Sequence, residues 1–517
     1  MACDVVTLGQ PITSGDPPGP GGTGLSDELK ALAKLLTAPE PRRQDTPFDA
    51  LEEDNREIPS GYTYFGQFIN HDITPSTRPT HGAGPPSSAA LDLSSLYGRG
   101  PVDQPSIYFQ PSTMPEGMSS WHLRLSKNIG GTDTHIQDFY RDPGNKDKPE
   151  IGDLRNDENV IIAQLHSSFS MFHNRVLSDI APEGLDDVSG PKAFEAARTV
   201  VRWHYQWLVL WDFLPRVCGG SAEVHALLSS LRTASTPEKA FTLFDKPRDA
   251  GPCIPDEFSR AVFRFGHAMV RPTYRLNDRL RGPSNGAKPP IHEPIPFLDP
   301  KGGFRKDLDL RGRQRISQQW GVSWPYFFPF DVPLAPWQHG ATLADGSNPE
   351  AFLGPQASML ILPRLLRVFG GLPPQGDGGP PSLIERDLLA DRDLPTAQAV
   401  ATKARIDPAD ILSFPELPQS LQTATPLFYY ILKEAAETEG GKCLGKLGRR
   451  IVIETLVGVL WRDPESFLSQ DPSWRPKAPA GGAVRDQPYT MSHFLKYAFD
   501  LDANPIVPTP FDVPSAL

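Results

Sequence analysis

Proline sets the first limit on this chain: 57 of its 517 residues are proline, roughly twice the ordinary share. Proline has no N–H and a fixed φ, so it is excluded from helix interiors and central strands. Regular structure must therefore lie between the proline-rich stretches. Residues 157–181, 192–216, 257–270, 425–438 and 446–461 carry apolar side chains at 3–4 spacing, and the first begins with acids that suit a helix dipole. Convincing period-2 strands are few. Residues 101–150 and 280–350, broken by Pro and Gly but holding scattered aromatics, read as long ordered loops packed on a core. Residues 1–30, with SGDPPGPGGTG, have no apolar period and cannot repay their ordering entropy, so they read as a flexible N-terminal arm. No repeat or clean linker divides the rest. The expected fold is mainly α: one large domain over 31–517, with packed helices, long Pro/Gly-rich loops and little β structure.

At 38% apolar and 22% charged residues, the chain can bury a sizeable core. It has no run of ~18 apolar residues, so no transmembrane segment is expected. A net charge of −11 argues against a nucleic-acid partner. The start, MACDVVTLGQPITSGDPPGPGG, lacks a basic segment followed by an apolar run, which points to the cytoplasm, with non-classical export as the alternative. Cys3, Cys218, Cys253 and Cys443 show no CxxC spacing. They form neither a disulfide framework nor a zinc motif, and a reducing compartment fits them.

Three segments carry side chains suited to chemistry. In GYTYFGQFINHDITPST (61–77), Gln67 and His71 stand four apart, so on a helix they share a face and Asp72 points elsewhere. An amide and an imidazole together can bind and shuttle a proton on a small polar ligand; a half-buried histidine hydrogen-bonded in the core has the same pattern. In IGDLRNDENVIIAQLH (151–166), Arg155 and Glu158 are three apart at a helix start. There Asp153 or Asn156 can act as N-cap, with Glu158 closing the turn. In SRAVFRFGHAMVRPTYRL (259–276), His267 follows Gly266 on an apolar helix. The glycine removes a side chain beside the imidazole and lets a flat bulky group approach. Arg264, one turn earlier, can pair with a carboxylate on such a group. That setting suits an axial metal ligand, although a core histidine can share it. His166, His173 and His204 fall within helix patterns and are assigned to packing or helix-end hydrogen bonds.

Taken in order, Gln…His, then Arg…Glu, then Arg…Gly-His, the chain resembles the animal haem peroxidase superfamily, the group of myeloperoxidase, lactoperoxidase and cyclooxygenase, and most closely its bacterial members. The motifs are TYFGQFINHDIT, GDLRNDENVIIAQLH and VFRFGH, with ERDLLADRDLPTAQAVA (385–401) and LGRRIVIETLVGVL (447–460) downstream. The resemblance spans roughly residues 55–470. It implies that 31–517 form an animal-type haem peroxidase domain, that haem b is the cofactor, and that the partners are hydrogen peroxide and a small reducing substrate.

The resemblance also implies roles for single residues. His267 matches the axial ligand of the haem iron. Asp387 falls where relatives place an Asn against that imidazole, and an aspartate there makes the ring a stronger donor. Arg264 matches the partner of a haem propionate. A second family arginine falls on Ala390, for which Arg392 is the substitute. On the open side, His71 matches the distal histidine, base and then acid towards peroxide. Arg155 matches the arginine that stabilises developing charge, and Gln67 the glutamine that holds water or a small anion. Peroxide reduction then runs through a ferryl intermediate. Glu158 matches a glutamate that forms an ester with haem. Asn70 stands where the second ester needs an aspartate, and Asn159 where myeloperoxidase has its sulfonium methionine, so one ester link at most is expected. Fewer links imply a weaker oxidant, with phenols, iodide, bromide or thiocyanate as donors and chloride beyond reach. A calcium ion is implied at Asp72, Ser88, the carbonyl of Ala90, Asp92 and Ser94, all hard oxygen donors. This loop is shorter than in mammalian relatives, and Ser88 replaces a threonine.

Two rivals share the fold. A fatty-acid dioxygenase of the cyclooxygenase type needs a tyrosine three residues before the proximal histidine, and Arg264 stands there. A haem-less adhesion or binding module has no use for His71, Arg155 and His267 together.

Overall fold

The computed structural model describes residues 27–36, 53–74, 88–110, 119–127, 137–145, 147–180, 190–243, 246–271, 274–277, 320–330, 355–365, 394–476 and 489–499, together with Ser112, Leu310, Gly312, Arg315, Ile316, Ile384 and Leu388. Among these the longer helices are α1 (Asp27–Leu36), α2 (Gly61–Ile73), α3 (Val160–Ile180), α4 (Pro191–Leu208), α5 (Ala222–Thr233), α6 (Leu427–Glu439), α7 (Lys446–Arg462) and α8 (Met491–Ala498). The described strands make three two-stranded antiparallel ladders: Asp54–Pro59 with Ala357–Met359, Leu125–Lys127 with Gln137–Phe139, and Arg141–Asp142 with Lys148–Pro149. The fold is mainly α, as the proline spacing requires. No described helix is long and apolar enough to cross a membrane.

Helix α3 is the central element, and α2, α4 and α8 pack on it. Asn159 caps its start, with Oδ1 accepting from the N–H groups of Ile161 (3.1 Å) and Ile162 (2.9 Å). Phe169 on α3 stacks on Phe68 of α2 at 4.6 Å, meets Phe494 of α8 at 4.4 Å and lies edge-on to Tyr205 of α4 at 5.7 Å. Burying each such ring contributes about 1.5–3 kcal/mol, so this cluster holds α2 firmly against the core. The start of α2 is also pinned. A methyl group on Gly61 would stand 2.5 Å from the Phe327 carbonyl oxygen, so only glycine admits this close approach.

Two expectations change. Helix α1 begins at Asp27, inside the stretch read as an arm, because Leu29, Leu32 and Leu36 form a buried face; the rest of 1–26 lies outside the described residues. The helix expected over 257–270 is instead a π turn, Glu257–Ala261, followed by a 3₁₀ helix, Val262–His267. The winding changes at Ala261, where φ is −128° and ψ −70°. With three residues per turn, Arg264 and His267 lie directly in line. Helices α6 and α7 back this segment and α2 packs against it.

Three histidines of the helical core are held neutral. Burial pushes His166 and His173 down to about 3 and His204 to about 4. Unfolded histidine titrates near 6.5, so between that pH and about 3–4 the unfolded chain binds the extra protons. The stability is complete above pH 6.5 and is lost as pH falls, by about 1.4 kcal/mol per pH unit for each such group. Urea midpoints should therefore fall steadily from pH 7 to pH 5. His204→Phe, which keeps the ring packing, should flatten that slope, and an unchanged slope contradicts the assignment.

Candidate active site

Segment 153–158 and the end of α2 form one unit. Asp153 is the N-cap of the 3₁₀ turn Leu154–Asp157, accepting from the Arg155 N–H at 2.8 Å. Of the two caps the spacing allowed, Asp153 takes that role and Asn156 does not. The Arg155 guanidinium pairs with Asp153, Nη2 to Oδ2 at 2.7 Å, and caps the C-terminus of α2. Its Nη2 also donates to the carbonyls of His71 (2.9 Å) and Thr74 (2.7 Å), and Nη1 to Thr74 Oγ1 (3.2 Å). A cation on the last helical carbonyls is electrostatically favourable. Most of its N–H groups are thus committed.

His71 is buried, and its Nδ1 lies 2.8 Å from Asn156 Oδ1. Burial lowers its pKa, and the charge of Arg155 lowers it further, while Glu158 and Asp153 pull the other way. The imidazole is therefore neutral near pH 7. Gln67, one turn earlier, donates from Nε2 to Glu158 Oε2 (3.4 Å) and accepts at Oε1 from Asn159 Nδ2 (3.3 Å). Glu158 therefore faces Gln67 instead of closing its own turn. Asn70 is half-buried on the same helix. A buried ion cluster braces the far side of the segment: Arg141 binds Asp157 (2.8 and 2.7 Å) and Asp138 (2.9 and 3.3 Å). Removing one member of such a cluster costs about 3–5 kcal/mol.

His267 ends the 3₁₀ turn, with Arg264 one turn before it. Arg264 Nε donates to the Ser259 carbonyl at 3.4 Å. No heavy atom outside the neighbouring residues lies within 4 Å of where a Gly266 Cβ would stand. Among the described residues, a side chain at 266 would therefore meet no obstacle beside the imidazole. Asp387 and Arg392 lie outside the described residues.

Asp72 turns away from His71 into the loop 88–95. It is buried, and its carboxylate accepts from the N–H groups of Leu93 (3.1 Å) and Ser95 (3.2 Å). Asp92 Oδ1 accepts from the Ser94 N–H (2.9 Å), and Ser88 Oγ from the Ala90 N–H (3.0 Å). Leu93 has φ +61°, a conformation this tight wrap imposes on a residue other than glycine. Burial and the nearby Asp92 carboxylate push Asp72 up to about 8. A methyl on Gly152 would stand 2.5 Å from the Ser95 carbonyl oxygen, so the arginine-bearing segment and this loop touch through bare backbone. Among the described residues no three or more His, Cys, Asp or Glu side chains are grouped so that they could hold a metal ion by themselves. A cation here depends on two carboxylates supplemented by hydroxyl and carbonyl oxygens, a donor set that suits calcium.

The sequence pattern had assigned His166 to packing and Asn156 to a cap. Asn156 Nδ2 lies 3.1 Å from His166 Nδ1, and its oxygen faces His71, so all three form one buried chain. No spacing rule signals this, because the partners come from two different helices.

Residues 86–296 match the family model described as animal haem peroxidase. Peroxidase mlt-7 of Caenorhabditis elegans is 30% identical over 141 residues, 26% of this chain and 17% of that protein. Thyroid peroxidase of Canis lupus familiaris is 31% identical over 128 residues, 25% of this chain and 12% of that protein. Peroxidase A of Dictyostelium discoideum has the same fold, with a TM-score of 0.55 at 15% identity over 97% of this chain and 94% of that one. The segment 86–296 is thus similar to the animal haem peroxidase family, and the wider chain shares the fold of a peroxidase. The matched segments span less than a fifth of either curated relative. The family match takes in Asp92, Arg155, Glu158, Arg264 and His267, while Gln67, His71 and Asp72 precede it.

Proposed function

We propose that this chain is a haem-dependent peroxidase that reduces hydrogen peroxide and oxidises small donors such as phenols, iodide, bromide or thiocyanate. The observation that carries this reading is the gathering of neutral His71, Arg155, Gln67 and Glu158 on one unit, whose helix α2 packs against the 3₁₀ turn that bears His267. The described residues fit haem: His267 would hold the iron, Arg264 a propionate, and Glu158 a single ester, since the Asn70 amide cannot form the other. Bound there, haem supplies the two-electron chemistry that splits the O–O bond.

The chain's own residues handle protons and charge. The bare ring nitrogen of His71 accepts a proton from peroxide and returns it to the departing oxygen, so that water leaves. Positioned acid–base groups of this kind contribute about 10²–10⁴-fold. The Arg155 guanidinium stabilises charge that develops nearby. Gln67 braces Glu158 and Asn159. Two phenols each give one electron and one proton, and the sum is one peroxide reduced to two waters. A halide or thiocyanate instead gives up two electrons and takes one oxygen, with a proton from solvent, and one water forms. Calcium at Asp72 and Asp92, with Ser88, the Ala90 carbonyl and Ser94, would lock the loop beneath the distal helix.

His71→Ala should slow the reaction of the haem-loaded protein with peroxide by about 10²–10⁴-fold and leave its Soret band in place; unchanged stopped-flow kinetics would remove His71 from the chemistry. Acid–acetone extraction should leave haem on the wild type and release it from Glu158→Ala. Complete release from both rules out the ester. A calcium chelator should lower the thermal midpoint of the wild type, and a midpoint that does not move rules out the ion.

A further inference from the structure

We propose that Asn156 and His166 are positioning residues that hold His71 in one tautomer, with the proton on Nδ1 and the lone pair on Nε2. The inference rests on the peroxidase reading for its purpose, but its geometry stands alone. Asn156 is 0% exposed, His166 2% and His71 6%. Asn156 Oδ1 lies 2.8 Å from His71 Nδ1, and Asn156 Nδ2 lies 3.1 Å from His166 Nδ1.

A carboxamide is directional: its oxygen only accepts and its nitrogen only donates. The oxygen beside His71 therefore requires a proton on that Nδ1. The nitrogen beside His166 requires that its Nδ1 be bare. Both rings are buried, and a neutral imidazole carries a single N–H. A proton on Nδ1 of His71 leaves Nε2 as the only site that can take one up. The opposite polarity would put the proton on Nε2, the nitrogen that a free neutral histidine side chain prefers to protonate. His71 would then be a donor and could not act as the base. The polarity of one buried amide thus decides what the distal histidine can do.

The surroundings keep that amide in place. The His166 ring lies edge-on to Phe139 (5.6 Å, 89°) and to Phe68 (6.3 Å, 70°), so it has little freedom to turn. The Asn156 N–H donates to the Asp153 carbonyl at 3.1 Å. On either side, Arg155 is tied to the end of α2 and Asp157 to Arg141. A base held in the right tautomer by a second group, itself oriented by a third, is a general device for making an imidazole act in one direction.

The test reads the tautomer directly. Long-range nitrogen–proton correlation spectra of ¹⁵N-histidine-labelled protein are recorded on the protein as purified and on its diamagnetic ferrous carbonyl form, with His71 assigned by the loss of its signals in His71→Gln. Wild type should show His71 protonated on Nδ1. Asn156→Leu should move the proton to Nε2 and slow the reaction with peroxide at least tenfold, with the KM for the reducing donor unchanged. Asn156→Asp keeps an acceptor beside Nδ1 and should restore both the tautomer and most of the rate. Wild-type His71 protonated on Nε2, or an Nδ1–H that persists in Asn156→Leu, overturns the proposal. The wild-type spectrum alone suffices if a variant fails to fold. The spectra need no turnover: a protein without peroxidase activity that still shows Asn156-dependent Nδ1–H loses the functional reading and keeps the tautomer control.

Discussion

The grip of Arg155 on the end of α2 is the interaction on which the site depends. One guanidinium pairs with Asp153 at its own N-cap and closes the carbonyls of His71 and Thr74. Without it, the carbonyls at the end of α2 would lose their cationic partner, and the two segments would be joined only through the side chains of His71 and Gln67 among the contacts described. With it, Asn156 is delivered to His71 and Glu158 to Gln67. Asp72, the next residue along α2, is held at the same time by the amides of Leu93 and Ser95. Two segments distant in sequence, 88–95 and 153–158, thus converge on the end of one helix.

This arrangement assigns unequal roles to residues that look alike in the sequence. Arg155 is an electrostatic clamp, since most of its N–H groups are engaged by Asp153, His71 and Thr74. Gln67 is a brace between Glu158 and Asn159. His71 is placed by its partners more than by its own helix. In the segment 257–267, the change from π to 3₁₀ winding brings Arg264 and His267 into line, where an α-helix would offset them.

Much of this was legible in the sequence. The helices over 160–180, 427–439 and 446–462 follow from apolar spacing between prolines, and the placing of Gln67 and His71 on one face of a helix follows from a four-residue interval. The convergence of Asp72 with the loop at 88–94 came from family resemblance, not from periodicity. What stayed hidden involved contacts between elements or a change of winding. The Asn156 amide looks like a cap until His71 and His166 are seen on either side of it. The 3₁₀ turn at 262–267 has the apolar content of an ordinary helix. The buried start of α1 was masked by the Pro/Gly-rich stretch before it.

The central claim is that haem lies between His71 and His267, with His267 as its ligand. The most direct measurement is a haemin titration followed by absorption and resonance Raman spectra. The account predicts a Soret band that saturates at one equivalent, with an iron–histidine stretch in the ferrous form that survives His71→Ala and disappears in His267→Ala. A protein that takes up no haemin, or one whose iron–histidine signal is lost with His71 and kept without His267, would contradict it.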